Sequence, residues 1–409
     1  MRRSEYDGNH PLAARMCAIA FLSYNVATGC MFGSFGVLVP AVEARLGVNR
    51  VFSTLGFPCA MLGINLMAAM AGVLASRVSI RLLMSAGVLM NVAGYAILAA
   101  SRSIGLNLLV YGLLMGPGLA LASTILPSTL VTRWYDVNRG RALGFVSMPI
   151  IAGIFPMATA VALRAFGLSG TYASLAIIMT LLLAPLWFVI DHPPVPSHRS
   201  GADAGSGEGG ESLGITIGGL LRRGSFWGLS IAAASIIAMA TVLAAHLVPM
   251  AKSWGMGASE AAVLLSASSL AGVPGPLAFG WLADRLGGAR TLALLCLDSA
   301  ALCALLLLHP PYMLLFPIAA LLGFHGAAIV ATFGMALSER FGKTGFGRAF
   351  GLGYLVSLPF SVLAVPAAAR VYVRTGSYDD ALRGLVGLLL VATLLAALAR
   401  RASPVPAPA

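Results

Sequence analysis

Charged residues are scarce in this chain of 409 residues, where they make up 10% of the composition. A soluble domain carries about 25% charged residues. The hydrophobic share of 59% and a mean hydropathy of +0.90 show the same imbalance. A chain this long and this apolar could not cover its surface in water, so the composition excludes a soluble domain and indicates that the lipid bilayer is the solvent.

Patterns that would indicate an enzyme or a metal site are missing as well. Each cysteine falls inside an apolar run without a partner at metal-ligand spacing, which favours packing over disulfides or metal binding: Cys17, Cys30, Cys59, Cys296 and Cys303. There is no phosphate loop of the G-x-x-x-x-G-K-[ST] kind and no nucleophile–base arrangement. We therefore expect neither an enzyme nor direct drive by ATP, and no cofactor or metal.

The formal net charge of +12 is distributed in a way that argues against nucleic acid as a partner. Lysine and arginine lie in short loops between apolar runs, without clusters of polar or aromatic readers. Of the 26 basic residues, 18 lie on the side of the amino terminus and 8 on the other side. This bias predicts that both termini are cytoplasmic. A multi-pass protein of the plasma membrane is expected, and the compact loops favour a bacterial inner membrane.

A run of about 20 apolar residues spans a bilayer as a helix. The sequence predicts an all-α integral membrane protein with twelve such helices, at residues 17–41, 52–76, 81–101, 104–131, 140–163, 170–190, 225–250, 260–283, 290–309, 311–337, 347–369 and 378–399. Prolines inside helices five and eleven predict bends there. These prolines are Pro149, Pro156, Pro359 and Pro366.

The two halves of the chain are related by an internal repeat. At a shift of 207 to 209 residues, three separate segments recur: Leu38-Val39-Pro40 as Leu247-Val248-Pro249, Gly72 to Arg77 as Gly280 to Arg285, and Arg133 to Gly144 as Arg340 to Gly351. The repeat predicts two parallel six-helix halves, at 1–191 and 224–409. Residues 192–223 are rich in proline, glycine and serine, which predicts a flexible cytoplasmic linker.

The turn between the eighth and ninth apolar runs carries the most specific motif. It reads Gly280-Trp281-Leu282-Ala283-Asp284-Arg285-Leu286-Gly287-Gly288-Ala289-Arg290. A charged, glycine-rich turn cannot cross hydrocarbon, so it lies at a membrane face. The turn resembles the loop signature G-x-L-A-D-R-x-G-x-[RK]-[RK] of the major facilitator superfamily. That resemblance implies a carrier with a solute site near mid-membrane, exposed to alternate sides as the two halves rock. We expect the protein to be a monomer.

The resemblance also implies a gate. In the family, the acid of this loop meets the amino end of a helix in the opposite half, where an acid is favourable by about 0.3–1 kcal/mol. Asp284 should therefore face the start of helix five near Arg139 and Arg141. The first half has Ser76 in place of the acid, so its contact with the start of helix eleven near Arg348 should be weaker. Further candidate gating residues in the two loops are Arg77, Arg285 and Arg290.

The segment Arg133 to Gly144 resembles the W-[FY]-x-x-x-R-G-x-A-x-G signature of monocarboxylate transporters and oxalate:formate antiporters. The resemblance implies a small organic anion as solute. Those carriers commonly place a cation within helix eight or eleven to hold the carboxylate. The corresponding runs here, 261–283 and 349–369, contain no lysine or arginine.

Three ionisable groups inside the predicted helices are candidates for coupling to protons, because a charge at the bilayer centre costs about 2.5–3.5 kcal/mol. His325, near the middle of helix ten, could also bind solute; its alternative is a neutral histidine bonded to a neighbouring helix. His246 lies near the outer end of helix seven. Asp298, in helix nine, has Asn91 at the matching place in helix three, which equally suits interhelical hydrogen bonding.

The remaining candidate solute ligands are hydroxyls, amides and aromatic side chains within the helices. They are Tyr24, Asn25, Thr28, Asn65, Tyr111, Tyr354 and Ser357. Together these observations predict a secondary active transporter of a small organic solute in the lipid bilayer, driven by protons. Two alternatives stay open, namely a proton antiporter that exports a hydrophobic metabolite or drug, and a transporter-like membrane sensor.

Overall fold

The computed structural model describes residues 10–48, 50–193 and 216–401, and this part of the chain is built from helices. Their bounds are Ala13–Leu46, Phe52–Leu74, Ile80–Ala100, Ile104–Trp134, Arg139–Leu186, Gly224–Ser253, Val263–Ala271 with Gly275–Leu286, Gly288–Leu306, Tyr312–Ala327 with Ile329–Lys343, Gly345–Thr375, and Asp379–Ala399. The segment Arg139–Leu186 is two helices, because Gly167 inside it has φ 66° and ψ −175°. The predicted fold of twelve transmembrane helices is thereby confirmed, and they are called helices one to twelve below.

Several helices are interrupted, and only some of the interruptions were predicted. Helix five breaks between Ser147 and Phe155, around Pro149, as expected. Helix eleven stays helical at Pro359 and Pro366. Helices eight and ten each bend by 40°, after Ala271 and Ala327 respectively. The proline pattern had not predicted the bend of helix ten.

One face of the bundle, called the gate face here, joins the two halves. It consists of the loops around residues 75–79, 134–139 and 286–288 and the ends of helices six and ten. Hydrogen bonds hold these parts together: Arg133 donates to the carbonyl of Ala75 (2.7 Å), Trp134 to the carbonyl of Ile190 (2.8 Å), and Lys343 to the carbonyl of Arg133 (3.2 Å). Helix eight packs on helix five, and helix two packs on helix eleven, across this boundary.

Glycines set the distance between the two halves. A Cβ atom on Gly140 would collide with the carbonyl of Gly280, and one on Gly280 with the carbonyl of Gly140. The repeat-related contact brings Gly72 against the carbonyl of Gly347 in the same way. The halves therefore approach at backbone distance, as small residues permit in membrane bundles.

The predicted flexible linker falls mainly on residues 194–215, which lie outside the described residues. The flanking residues that are described include a short helix, Ile217–Leu221, before helix seven. The division of the chain into two halves at this linker stays a prediction.

Close glycine packing inside the amino-terminal half makes a stability prediction. A Cβ on Gly63 would collide with the carbonyl of Gly112 and with Pro117 of helix four, whereas one on Gly36 meets open space. Gly63→Ala should lower stability by about 1–3 kcal/mol through overpacking. Gly36→Ala should be neutral or stabilising, since alanine favours a helix over glycine by about 1 kcal/mol. Thermal unfolding of the two variants in detergent measures the difference, and equal melting temperatures would contradict the packing.

Candidate functional site

The Asp284 carboxylate bridges the two halves at the gate face. It accepts hydrogen bonds from the backbone N–H groups of Gly140 (2.7 Å) and Arg141 (2.9 Å), the first turn of helix five. These N–H groups have no partner within their own helix, and the helix dipole favours an anion there. The Asp284 side chain is 8% exposed, so water competes little for the bond. The Arg141 guanidinium lies farther off, with its Nε 3.9 Å from the carboxylate.

The repeat-related contact uses Ser76 and lacks the charge. The Arg348 guanidinium donates a hydrogen bond to the Ser76 hydroxyl oxygen (3.1 Å), and the Ser76 hydroxyl donates to the carbonyl of Val73 (2.7 Å). An exposed hydroxyl replaces a part-buried carboxylate, so this contact is the weaker of the two. The position of both contacts agrees with the repeat; their role in gating stays a prediction.

An ion pair that the sequence analysis missed connects the two halves in the middle of the gate face. The Lys343 ammonium lies 2.7 Å from the Asp136 carboxylate, which joins the loop after helix ten to the loop after helix four. The two residues are themselves equivalent at a shift of 207. Equivalent residues meet only next to the pseudo-twofold axis between the halves. The repeat alignment was therefore the signal that could have found this pair.

The other candidate gating residues lie on the gate face without a hydrogen bond between the halves, although Arg139 interacts electrostatically with Asp284 and Glu339 of the other half. Arg139 donates to the carbonyl of Tyr135 (2.9 Å) in its own loop, and the Arg285 guanidinium lies over the Trp281 ring at 3.9 Å. The side chains of Arg77 and Arg290 form no hydrogen bond or ion pair with the described residues. Arg77, Arg285 and Arg290 are exposed and placed to contact solvent or lipid head groups, whereas the Arg139 side chain is 13% exposed and lies 3.8 Å from the Asp136 carboxylate.

At mid-depth a hydrogen bond between side chains connects helix two with helix eleven. The Ser357 hydroxyl approaches the Asn65 side-chain carbonyl at 3.3 Å and the carbonyl of Tyr354 at 2.7 Å, while the Asn65 amide donates to Met61 (2.8 Å). Both side chains are buried. These two candidate solute ligands thus lie together at the boundary between the halves and bond to each other.

Asn25 has a structural partner for both of its polar groups. Its amide donates to the carbonyl of Phe21 (3.1 Å), and its side-chain carbonyl accepts from the backbone N–H groups of Ile151 (3.1 Å) and Ala152 (3.3 Å). Those N–H groups lie at the break of helix five. Asn25 therefore supplies the acceptor for the N–H groups at the break of helix five. It is fully buried, and both of its polar groups are hydrogen-bonded to the protein itself.

Tyr111 lies inside the amino-terminal half rather than between the halves. Its ring packs edge-on against Phe35 (5.4 Å between centroids) and fills the space above Gly56. It lines a small buried cavity with Tyr172 and with Asn107, whose side-chain carbonyl has no hydrogen-bond partner in the described chain. Its surroundings are therefore those of a packing residue.

Three hydroxyls remain available between the halves. Tyr24 and Thr28 of helix one and Tyr354 of helix eleven are partly exposed, and none of the three hydroxyls has a hydrogen-bond partner among the described residues. The phenol groups of Tyr24 and Tyr354 are close enough to interact electrostatically across the halves. We call the region of the boundary beside these three partly exposed residues the central cleft. The described lysines and arginines lie at helix ends and in loops, away from it.

His325 points away from the central cleft, which differs from its expected position as a solute ligand. Its Nε2 lies 3.1 Å from the Asp298 carboxylate of helix nine, and its Nδ1 lies 3.2 Å from the Ser299 hydroxyl. The ring is 2% exposed. The structure thus pairs two of the candidate proton-coupling groups, Asp298 and His325, with each other.

His246 is bonded at both ring nitrogens within the carboxyl-terminal half. Its Nε2 lies 3.0 Å from the carbonyl of Val365, and its Nδ1 lies 3.3 Å from the Tyr378 hydroxyl. The histidine thus connects helix seven with helices eleven and twelve. A structural role accounts for its polar contacts; its proposed part in proton coupling stays a prediction.

Comparison with known proteins identifies the family. The family model of the Major Facilitator Superfamily matches residues 20–358, and it matches again at 229–409. The chain therefore belongs to the Major Facilitator Superfamily, whose members are transporters. It is 24% identical over 344 residues to YcxA, an uncharacterized MFS-type transporter of Bacillus subtilis (strain 168), with 79% of this chain and 78% of that protein covered.

Solved structures share the fold. The superfamily transporter FucP in an outward conformation has a TM-score of 0.74 at 16% identity, covering 95% of this chain and 98% of that one. A variant of the E. coli fucose:proton symporter FucP gives 0.72 at 17% identity with the same coverage. A bacterial homologue of the iron transporter ferroportin gives 0.69 at 10% identity, covering 96% of this chain and all of that one.

The carboxylate contact at the gate face can be tested by one substitution. Asp284→Asn removes the charge from the bond to helix five, which costs about 1–3 kcal/mol and should raise the open fraction of the gate face roughly ten- to hundredfold. A cysteine at Ala142, 7% exposed beside the contact, reports opening by its reaction with a membrane-impermeant maleimide in a background whose native cysteines are replaced. Asp380→Asn, on the opposite face, is the control. Equal labelling rates in both variants would contradict the role of Asp284.

Proposed function

We propose that this protein is a secondary active transporter that moves a small organic solute through the central cleft by alternating access, driven by protons. The observation that carries the proposal is the pairing of a closed gate face, held by Asp284 on helix five, with three unpaired hydroxyls at the boundary of the halves. Opening one face and closing the other would expose Tyr24, Thr28 and Tyr354 to each side in turn. The basic loops favour a cytoplasmic gate face.

For the solute we propose a monocarboxylate or a related organic anion. The support is the resemblance of Arg133 to Gly144 to carriers of such anions. In the structure this segment forms gate-face contacts through Arg133, Trp134 and Gly140, and it does not reach the central cleft. An anion that crosses in the same cycle as one proton is transported without net charge, so proton-driven uptake is compatible with a cleft lined by hydroxyls rather than by cations.

A second candidate is an exporter of hydrophobic compounds. A cavity of about 470 Å³ between helices seven, eleven and twelve favours it, because its lining is apolar apart from Asp380. Val242, Phe360 and Leu388 are among the lining residues. A hydrophobic compound that binds in this cavity would be carried out of the cell in exchange for protons. Counterflow of a labelled hydrophobic compound from vesicles separates this function from uptake of an anion.

Uptake into proteoliposomes with an imposed pH gradient tests the proposed function. The panel contains lactate, pyruvate, formate and oxalate, with fucose as a neutral solute for comparison. The expected result is that a carboxylate accumulates in the vesicles and that this accumulation is lost when the pH gradient is dissipated. If fucose alone accumulates, the substrate is a neutral hydroxylated solute and the proposal of an organic anion is wrong. If nothing accumulates, proton-driven uptake of this panel is contradicted.

The cleft hydroxyls give a finer prediction for whichever solute is transported. Tyr24→Phe and Tyr354→Phe should each remove one hydrogen bond worth about 0.5–1.5 kcal/mol and raise KM roughly two- to tenfold. The control is Tyr372→Phe, a tyrosine that stacks on Tyr378 at the opposite face (4.5 Å between centroids). Initial rates over a range of solute concentrations separate KM from kcat. An unchanged KM in both cleft variants would remove these tyrosines from the binding site.

A further inference from the structure

The Asp298–His325 pair is placed unlike the other ion pairs described for this chain. Asp298 lies in the middle of helix nine (Gly288–Leu306), and His325 lies near the middle of helix ten, so the pair is at the level of the bilayer centre. The histidine side chain is 3% exposed, whereas the aspartate side chain is 65% exposed. The other pairs, including Lys343–Asp136 and His309–Asp379, lie at the two membrane faces.

The exposed side of Asp298 faces hydrocarbon rather than the central cleft. Its neighbours along the same surface of helix nine are Leu294, Leu297 and Leu305, each exposed by about 45%. On the inner side, Phe279 of helix eight meets the His325 ring edge-on at 5.3 Å, and the Phe324 ring lies at 6.0 Å. Among the described residues that pack on His325, Asp298 is the one with an acidic or basic side chain.

The repeat shows that the fold does not require this charge. At a shift of 207, Asp298 corresponds to Asn91, and His325 corresponds to Gly118. Asn91 donates to the carbonyl of Gly87 (2.9 Å), and Gly118 packs directly against its amide nitrogen. The amino-terminal half therefore makes the same helix contact with a neutral amide and a glycine. The ionisable pair is an addition in one half, which calls for a reason other than packing.

The pair also touches the bends of two gate helices. His325 lies in the last turn of the outer segment of helix ten, and its carbonyl accepts from the N–H of Ala328 (3.1 Å) at the bend. The carboxyl end of a helix favours a cation. Phe279 belongs to the inner segment of helix eight, Gly275–Leu286, which carries Asp284. A change at His325 is thus in contact with the segment that holds the gate face closed.

These contacts lead to the inference. We propose that Asp298 and His325 bind the coupling proton of this transporter at a site outside the central cleft, and that release of this proton loosens the bends of helices eight and ten. The inference rests on the proposed function, because it assigns the place of the proton that drives transport. In this mechanism the proton does not contact the solute. Its binding acts on the gate face through the inner segment of helix eight.

The two protonation states differ by one proton on His325. Without the proton, neutral His325 donates from Nε2 to the Asp298 carboxylate, its Nδ1 accepts from the Ser299 hydroxyl, and the pair carries a net charge of −1. With the proton on Nδ1, the imidazolium donates to both Asp298 and the Ser299 oxygen, and the pair is neutral overall. The neutral state suits a low-dielectric site. The contact of 3.1 Å between Nε2 and the carboxylate is compatible with both states.

Distances across the gate face test the inference without a solute. Spin labels on cysteines at Val78 and Leu286, exposed residues of the two opposing loops, report the separation of the halves. Between about pH 5 and about pH 8, the range in which histidine changes its charge, the distance distribution should shift towards longer values as the proton is lost. Asp298→Asn introduces the amide that the amino-terminal half has at the equivalent position, Asn91. This variant should abolish the shift.

The matched control is Asp379→Asn. Asp379 pairs with His309 at 2.9 Å in the same half, but at the opposite membrane face, and its loss should leave the pH-dependent shift intact. Unfolding curves exclude misfolding of either variant, and His325→Gln is the second variant at the site. A shift that persists in Asp298→Asn and His325→Gln, or a wild-type distance that does not change with pH, would overturn the inference.

Flux measurements separate this inference from the proposed function. In proteoliposomes, Asp298→Asn should lose accumulation of a panel carboxylate against a pH gradient while it retains exchange of that carboxylate at equal pH. Gradient-driven accumulation that survives in the variant would overturn the proton site and leave the transport function standing. If the distance shifts with pH but no panel solute is transported, the proton site stands and the proposed transport of these solutes is overturned.

Discussion

The structure depends on a hydrogen-bonded carboxylate at the boundary between two halves of one chain. The first N–H groups of helix five have no partner within the helix, and the Asp284 carboxylate supplies one from the other half. Glycines on both sides allow the backbones to come close enough for this bond. The bond is strong because it is charged and shielded, yet it involves two N–H groups and can be broken as a unit. Under the proposed alternating access, this contact would break and re-form as the halves separate at this face in each cycle.

The two repeats use the same backbone contacts with different side chains. Asp284 and Ser76 occupy equivalent places, as do Asp298 and Asn91. In each case the carboxyl-terminal half has the ionisable group and the amino-terminal half has a neutral one. The bends of helices eight and ten also belong to the carboxyl-terminal half. The carboxyl-terminal half therefore carries the ionisable member of both equivalent pairs, while helices two and eleven form a contact held by the Arg348–Ser76 and Ser357–Asn65 bonds.

Sequence alone predicted the fold and the position of Asp284, because apolar length defines the helices and the repeat aligns the loops. It did not predict which way His325 faces. Helix ten is apolar all round, so periodicity gave no orientation, and the bend at Ala328 was unmarked by proline. Asn25 was also misplaced as a free ligand, because the break in helix five creates the N–H groups that it satisfies. Such partners arise from backbone geometry that composition does not encode.

The central claim is that transport requires the halves to separate at the gate face. A short bifunctional thiol cross-linker between cysteines at Ser76 and Arg348, which are hydrogen-bonded at 3.1 Å, tests it directly. The measurement is solute exchange in proteoliposomes before cross-linking, after it, and after cleavage of the linker, beside the Arg348→Cys single variant. The account predicts that exchange stops on cross-linking and returns on cleavage. Exchange that continues through a fully cross-linked protein would contradict it.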